Sequence, residues 1–333
     1  MLYNKINLQL FATVQTTLLD GLSPEMKTFY DMTLIDEASA NLVHDQFGQK
    51  RPIPANGGKT IEFRKFSALP KATMPITEGV TPNGQALTVT AITATVNQYG
   101  DFITQSDVLE LTSLDNTILE ATKLLGKQAG LTLDTIVRDK LAEGTNVIYS
   151  PNVADGKETP NTSRSTMNDT ANLRVKDIQK AVATLRGQNA PTIGGKYVGI
   201  IHPYIAYDLM RDPEWIDAHK YANPTNLYEG EIGEIAGVRF VQTTEAKVFA
   251  NGGISIYSTL ILGEGAYGVT EISGGGLQTI VKQKGSAGTA DPLDQRSSVG
   301  WKAIKTAEIL VNAYMVRIES KSSEWGTVYP MGN

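Results

Sequence analysis

The chain has 333 residues, 41% of them hydrophobic and 20% charged, which fits about two globular domains with a sizeable core. Its net charge is −5 and it has no long basic run, which argues against a dedicated duplex-DNA-binding module. It contains no cysteine, so disulfides, thiolate metal sites and cysteine nucleophiles are excluded, and a reducing cytoplasm is a compatible setting. Near the N-terminus Ile6, Leu8 and Leu10 alternate with Asn7 and Gln9, which does not read as a signal peptide. No stretch reaches the roughly 18 apolar residues of a membrane span. Two glycosylation-like triplets, Asn161-Thr162-Ser163 and Asn168-Asp169-Thr170, carry no weight without an export signal.

Residues 1–20 are polar with sparse apolar positions and read as an arm that a neighbour must tie down. Ser23-Pro24 predicts a helix start, with Ser23 as cap and Pro24 in the first turn. Ile61, Phe63 and Lys65 alternate with Thr60, Glu62 and Arg64 as a strand. Pro70, Pro75, Gly79, Pro82 and Gly84 then mark a loop too long for a tight hairpin. In the next strand the apolar parity flips at Ala91/Ile92, which predicts a bulge or a change of face. Asp115 is the expected cap of a long helix over 115–143, about 28 residues and roughly 42 Å. Its expected inward stripe is Ile118, Ala121, Leu125, Ala129, Ile136 and Leu141, broadened by Leu124, Leu131, Leu133 and Val137. An extended arm feeding a long helix buries little against its own domain. Its missing contacts make sense on another copy of the chain, which points to an assembling structural protein.

A polar stretch, 145–172, precedes a helix over 175–186 with Ile178, Ala181, Val182 and Leu185 inward. Strands follow at 196–201, 238–241 and 254–262, with short helices at 204–210 and from Asp212-Pro213. Residues 297–318 read as at least two strand segments of one sheet that returns to the long helix.

Chemical motifs are few. Gly263-Glu264-Gly265-Ala266-Tyr267-Gly268 matches G-x-G-x-x-G after a strand, but the residues that follow do not open the helix a dinucleotide site needs. The expectation is a glycine-rich turn between strands, with a nucleotide-dependent enzyme using 263–268 as the rival from another class. Gly230 to Gly237 likewise reads as a turn leading into a strand. His44, His202 and His219 stand in unrelated contexts, with no partners at metal-ligand spacing, and His202 reads as a strand-end residue with a satisfied ring nitrogen. No G-x-S-x-G elbow is present. Asp291, Asp294 and Arg296 are either a solvated loop with surface ion pairs or an intersubunit contact. No catalytic, cofactor-binding or metal residue is assigned.

Taken in order, these pieces resemble a tailed-bacteriophage major capsid protein with the Hong Kong 97-type fold, nearest the branch named after the coat protein of bacteriophage N-four. The resemblance rests on the arm, the Thr-rich loop of 59–104 and the long helix. It also rests on Ile200-Ile201-His202-Pro203-Tyr204-Ile205-Ala206-Tyr207-Asp208-Leu209, Ile235 to Val241, and Ser298 to Glu319. It implies an α+β fold with an N-terminal arm (1–55), an extended loop (56–104), a peripheral domain with the spine helix (105–164 and 276–333) and an axial domain (165–275). It implies a non-enzymatic protein that self-assembles into pentamers and hexamers of an icosahedral virion shell around double-stranded DNA. Assembly would take place in the host cytoplasm, without cofactor or membrane. Scaffolding and portal proteins, and in some members a decoration protein or a protease, would be its partners. A genome-free encapsulating protein or another virion structural protein of the same fold is the alternative. Some members crosslink a loop lysine to an asparagine. Lys59, Lys65, Lys71 and Asn312 are present, but nothing around them fixes such a pair, and that activity is not carried over.

Overall fold

The computed structural model describes residues 24–39, 41–54, 58–66, 69–81, 84–113, 117–222, 233–270, 276–286 and 291–325. The expected arm over 1–20, the caps Ser23 and Asp115, Pro82, and the first part of the Gly230 turn lie outside them, as does the side chain of His219.

Helix α1 (Pro24–Ser39) starts at a proline, whose missing N–H is no loss in a first turn, and buries Leu34 and Ala38. Four strands follow: β1 (Gln49–Lys50), β2 (Thr60–Phe66), β3 (Val89–Thr95) and β4 (Asn97–Ser106). A six-residue helix, α2 (Asp107–Thr112), leads to the long helix α3 (Thr117–Leu141). Its 25 residues span about 37 Å. The buried line on α3 is Ala121, Leu125, Ala129, Leu133, Val137 and Leu141, a strict four-residue repeat. Ile118 and Ile136, expected on that line, are only half buried, and Leu124 is exposed. A four-residue repeat advances about 40° per step around a helix of 3.6 residues per turn, so the two ends of α3 bury different sides. A single straight stripe therefore did not describe it.

The chain continues through β5 (Val147–Tyr149), the hairpin β6 (Asn152–Ala154) and β7 (Lys157–Thr159), and α4 (Val175–Gly187). As expected, α4 buries Ile178, Ala181, Val182 and Leu185. Then come β8 (Tyr197–Ile201), α5 (Pro203–Met210), α6 (Pro213–Ala222), β9 (Glu234–Ile235) and β10 (Val238–Gln242). Ala236 and Gly237, both at positive φ, make the tight turn between β9 and β10. The last strands are β11 (Val248–Asn251), β12 (Ile254–Leu262), β13 (Tyr267–Thr270), β14 (Gln278–Lys282), β15 (Arg296–Ile309) and β16 (Met315–Lys321).

The chain divides into two compact units. The first gathers the described residues of Met1–Ser39, Tyr99–Ala129 and Leu277–Ala303. In it β4 and β14 each pair with β15. Trp301 Nε1 donates to Gln128 Oε1 on α3 (3.2 Å), and Gln128 Nε2 donates to Asp101 Oδ2 on β4 (2.6 Å). A Cβ on Gly126 would stand 2.8 Å from the Leu34 carbonyl oxygen, so glycine is what lets α1 lie against α3.

The second unit gathers the described residues of Ala40–Gln98, Gly130–Gly276 and Ile304–Asn333. Its main sheet runs β5-β16-β12-β8-β10-β9, with β11 also on β12. Strand β8 and nearly all of β12 are buried, which explains their near-continuous apolar or β-branched runs. Strand β16 is buried too, but carries Arg317, Glu319 and Lys321 inside. Helices α4, α5 and α6 pack on this sheet through Ile178, Leu185, Ile205, Leu209 and Trp215. A second cluster joins Val137 and Leu141 to Tyr267, Ala307 and Met315. Strand β13 pairs with β1 on one side and with residues 306–309 of β15 on the other. The segments expected to form one sheet over 297–318 thus belong to two. β15 and β16 are separated by a short helical turn at Asn312–Tyr314, and they pair with different neighbours.

Candidate assembly interface

Strands β2 and β3 form an antiparallel ribbon with seven consecutive pairs, from Thr60↔Thr95 to Phe66↔Val89. The register is unbroken, so of the two expectations at Ala91/Ile92 the bulge is absent and the change of face is what occurs: apolar residues pass from one face of β3 to the other. Phe63, Ala94 and Val96 are buried, while Leu87 and Val89 point outwards and are exposed. Phe63 anchors the ribbon. A Cβ on Gly268 would stand 2.6 Å from its ring, so the glycine makes the seat.

Beyond the ribbon, the described chain over 69–88 is exposed throughout. Met74 is 88% and Ile76 74% exposed, and Leu69 and Val80 are exposed as well. Backbone hydrogen bonds here are local, such as Thr73 N–H to Lys71 O and Val80 N–H to Thr77 O. The second closes a turn in which Gly79, at φ +80°, takes the left-handed position. The other unit has its own exposed apolar side chains. Every apolar residue of α2 (Val108, Leu109, Leu111) faces solvent, although Ser106 Oγ caps the helix by accepting from Leu109 N–H. Phe102 on β4 and Leu124 on α3 are exposed too. Large apolar side chains left exposed along one segment are what an interaction site presents.

The polar interior is structural. His44 and Asp134 are fully buried and paired (Nδ1 to Oδ2, 2.7 Å), and Asp134 Oδ1 also accepts from the backbone N–H groups of Val43 and His44. The Tyr267 hydroxyl donates to the His44 carbonyl oxygen, and burial and the nearby Asp45 and Asp134 carboxylates push the Tyr267 pKa far up. The sequence reading found no partner for His44 because Asp134 lies 90 positions away. On β16 the buried Glu319 accepts from Arg164 with both oxygens (2.5 and 2.6 Å) and from Arg317 Nε (2.9 Å). His202 follows β8 and caps α5, its Nδ1 accepting from Tyr204 N–H (3.1 Å), while its buried Nε2 has no hydrogen-bond partner among the described residues. Burial holds its pKa down at about 4.

After Gly263, Glu264 and Gly265 the chain enters strand β13, so G-x-G-x-x-G is a turn between strands and presents no helix N-terminus to a pyrophosphate. Asp291 is buried and accepts from Arg296 N–H (2.8 Å), so it is not the solvated loop residue one reading expected. Asn312 spends its amide on Thr145, accepting from the backbone N–H (2.9 Å) and donating to Oγ1 (2.6 Å). Among the described residues no group of three or more His, Asp or Glu is arranged to hold a metal ion.

An extended ribbon, a long helix and a β-rich second unit with apolar surface on both define a shell-forming structural protein. A family model described as phage capsid protein matches residues 25–284, and the chain belongs to that family. The fold is similar to the capsid of cyanophage P-SCSP1u, with a TM-score of 0.64 at 16% identity over 85% of this chain and 89% of that one. The capsid of Ralstonia phage GP4 matches with a TM-score of 0.61 at 14% identity over 87% and 90%. A virus-like particle from Pyrococcus furiosus matches with a TM-score of 0.50 at 10% identity over 88% and 99%. No curated protein matches the sequence. The fold is thus the α+β Hong Kong 97-type capsid fold, and the protein is a non-enzymatic component of a virion capsid.

Proposed function

We propose that this chain is a major capsid protein whose copies assemble into pentamers and hexamers of an icosahedral shell around double-stranded DNA. The observation that supports it most is the exposed apolar loop over 69–89, which lacks within one chain the burial that its side chains call for. On this reading residues 1–55 are the N-terminal arm and 56–104 the extended loop. Residues 105–164 with 276–333 are the peripheral domain, and 165–275 the axial domain. These boundaries follow the family's functional parts and are not those of the two compact units. Scaffolding, portal and decoration proteins are its partners, and assembly takes place in the host cytoplasm.

Deleting residues 68–84 should leave a soluble, folded chain that forms no shells in electron micrographs. Normal particles from that deletion would overturn the reading. A genome-free shell is the second reading, favoured by the likeness to the virus-like particle. Nuclease-protected DNA in purified particles supports the first, and empty particles in cells that carry the viral genome support the second.

A further inference from the structure

Two neighbouring pockets of the second unit share Arg51. The first, about 80 Å³, is bounded by Asp45, Lys50, Arg51, Pro52, Val269 and Lys305. The second, about 110 Å³, adds Arg64 and Lys65. Asp45 is the one carboxylate among the residues lining either pocket. Lys305 Nζ sits 2.6 Å from Asp45 Oδ1, with both side chains more than nine-tenths buried. Lys50 Nζ approaches the other oxygen at 3.6 Å. Three cations therefore face one carboxylate in the first pocket, in a chain whose total charge is −5. The backbone N–H of Arg51 is held by the Val269 carbonyl (3.1 Å), which fixes the root of the side chain at the rim.

We propose that this pocket binds a phosphate group, with Arg51 and Lys50 at the mouth and Lys305 at the base. The space takes a few waters or a single tetrahedral oxyanion and excludes a folded segment. The guanidinium fork of Arg51 suits two phosphate oxygens, and the ammonium groups serve as point charges. The two net positive charges match a free, doubly charged phosphate better than the single charge of a carboxylate from another copy or of one phosphodiester in DNA. The phosphate is either free or part of a DNA backbone. The DNA source rests on the reading of the shell as a DNA container, whereas free-phosphate binding does not.

The test uses the full-length unassembled chain. Thermal unfolding in sodium phosphate should show a saturable rise of roughly 2–4 °C over sodium chloride at equal ionic strength. Lys50→Gln with Arg51→Gln, both at exposed positions, should weaken that effect at least about tenfold while leaving the chloride midpoint unchanged. If the double variant also binds duplex DNA with a shallower salt dependence, DNA phosphate is the ligand. If DNA binding is unchanged, free phosphate is. Equal midpoints in phosphate and chloride, or a phosphate effect that survives the double substitution, would overturn the proposal. So would a double variant that loses shells while the parent shows no phosphate effect, since the pocket would then be serving a neighbouring copy's carboxylate. Shell formation is scored separately by microscopy, so failure of the phosphate site and failure of the capsid reading are distinguishable.

Discussion

At the scale of single residues, the most consequential contact is Asp134 with the segment around His44. One carboxylate there satisfies two backbone N–H groups and a ring nitrogen, with both His44 groups buried and the Val43 N–H half-buried. Asp134→Ala orphans all three, and each orphaned buried group costs roughly 1–3 kcal/mol. Denaturant unfolding should therefore show a loss of about 3 kcal/mol or more, and a loss below 1 kcal/mol would mean that water enters the site. His202 makes a prediction about pH. Its pKa falls from an ordinary 6.5 to about 4 on folding because the ring is buried. The unfolded chain then binds the extra proton more readily, so this stabilisation is complete above about pH 6.5 and is lost as pH falls towards 4. The shift corresponds to roughly 3 kcal/mol. His202→Asn keeps an acceptor at the helix cap and removes the titration. Its midpoint-versus-pH curve should be flatter than the parent's between pH 6.5 and 4.

At the scale of elements, the ribbon and its loop separate assembly from folding. Met74→Gln with Ile76→Gln changes two side chains that are 88% and 74% exposed. Monomer stability should change by no more than about 0.5 kcal/mol, and shell yield should fall at least about tenfold by light scattering. A stability loss larger than that would place the loop in the chain's own core. Much at this scale was legible in the sequence. Helix α4 declared itself by period, because Ile178, Ala181, Val182 and Leu185 all enter one core cluster. Two things were not legible. The flip at Ala91/Ile92 left a bulge and a change of face equally open, because which face of the ribbon is covered depends on residues far along the chain such as Gly268. The buried line on α3 winds around the helix, so a search for one stripe put Ile136 on it and left Leu133 and Val137 beside the exposed Leu124 at its margin.

At the scale of the whole molecule, the order of elements was readable and the pairing across long distances was not. Nothing local to His44 points to Asp134 or Tyr267, and nothing local to Gln49 points to Gly268. The pocket around Lys305 was invisible for the same reason, since its cations come from segments more than 200 positions apart and only the fold gathers them. The same long-range pairing sets a timetable. The carbonyl of His44 receives its hydrogen bond from a hydroxyl 223 positions downstream, and the strand just after it pairs in that same distant region. At about 5–20 residues per second a ribosome needs roughly 10–45 s to supply that partner. Through that interval the stretch leading into the ribbon emerges with its strand edge unmatched. The ribosome's pace therefore leaves a window of tens of seconds in which this stretch can meet its sisters before its own partner exists.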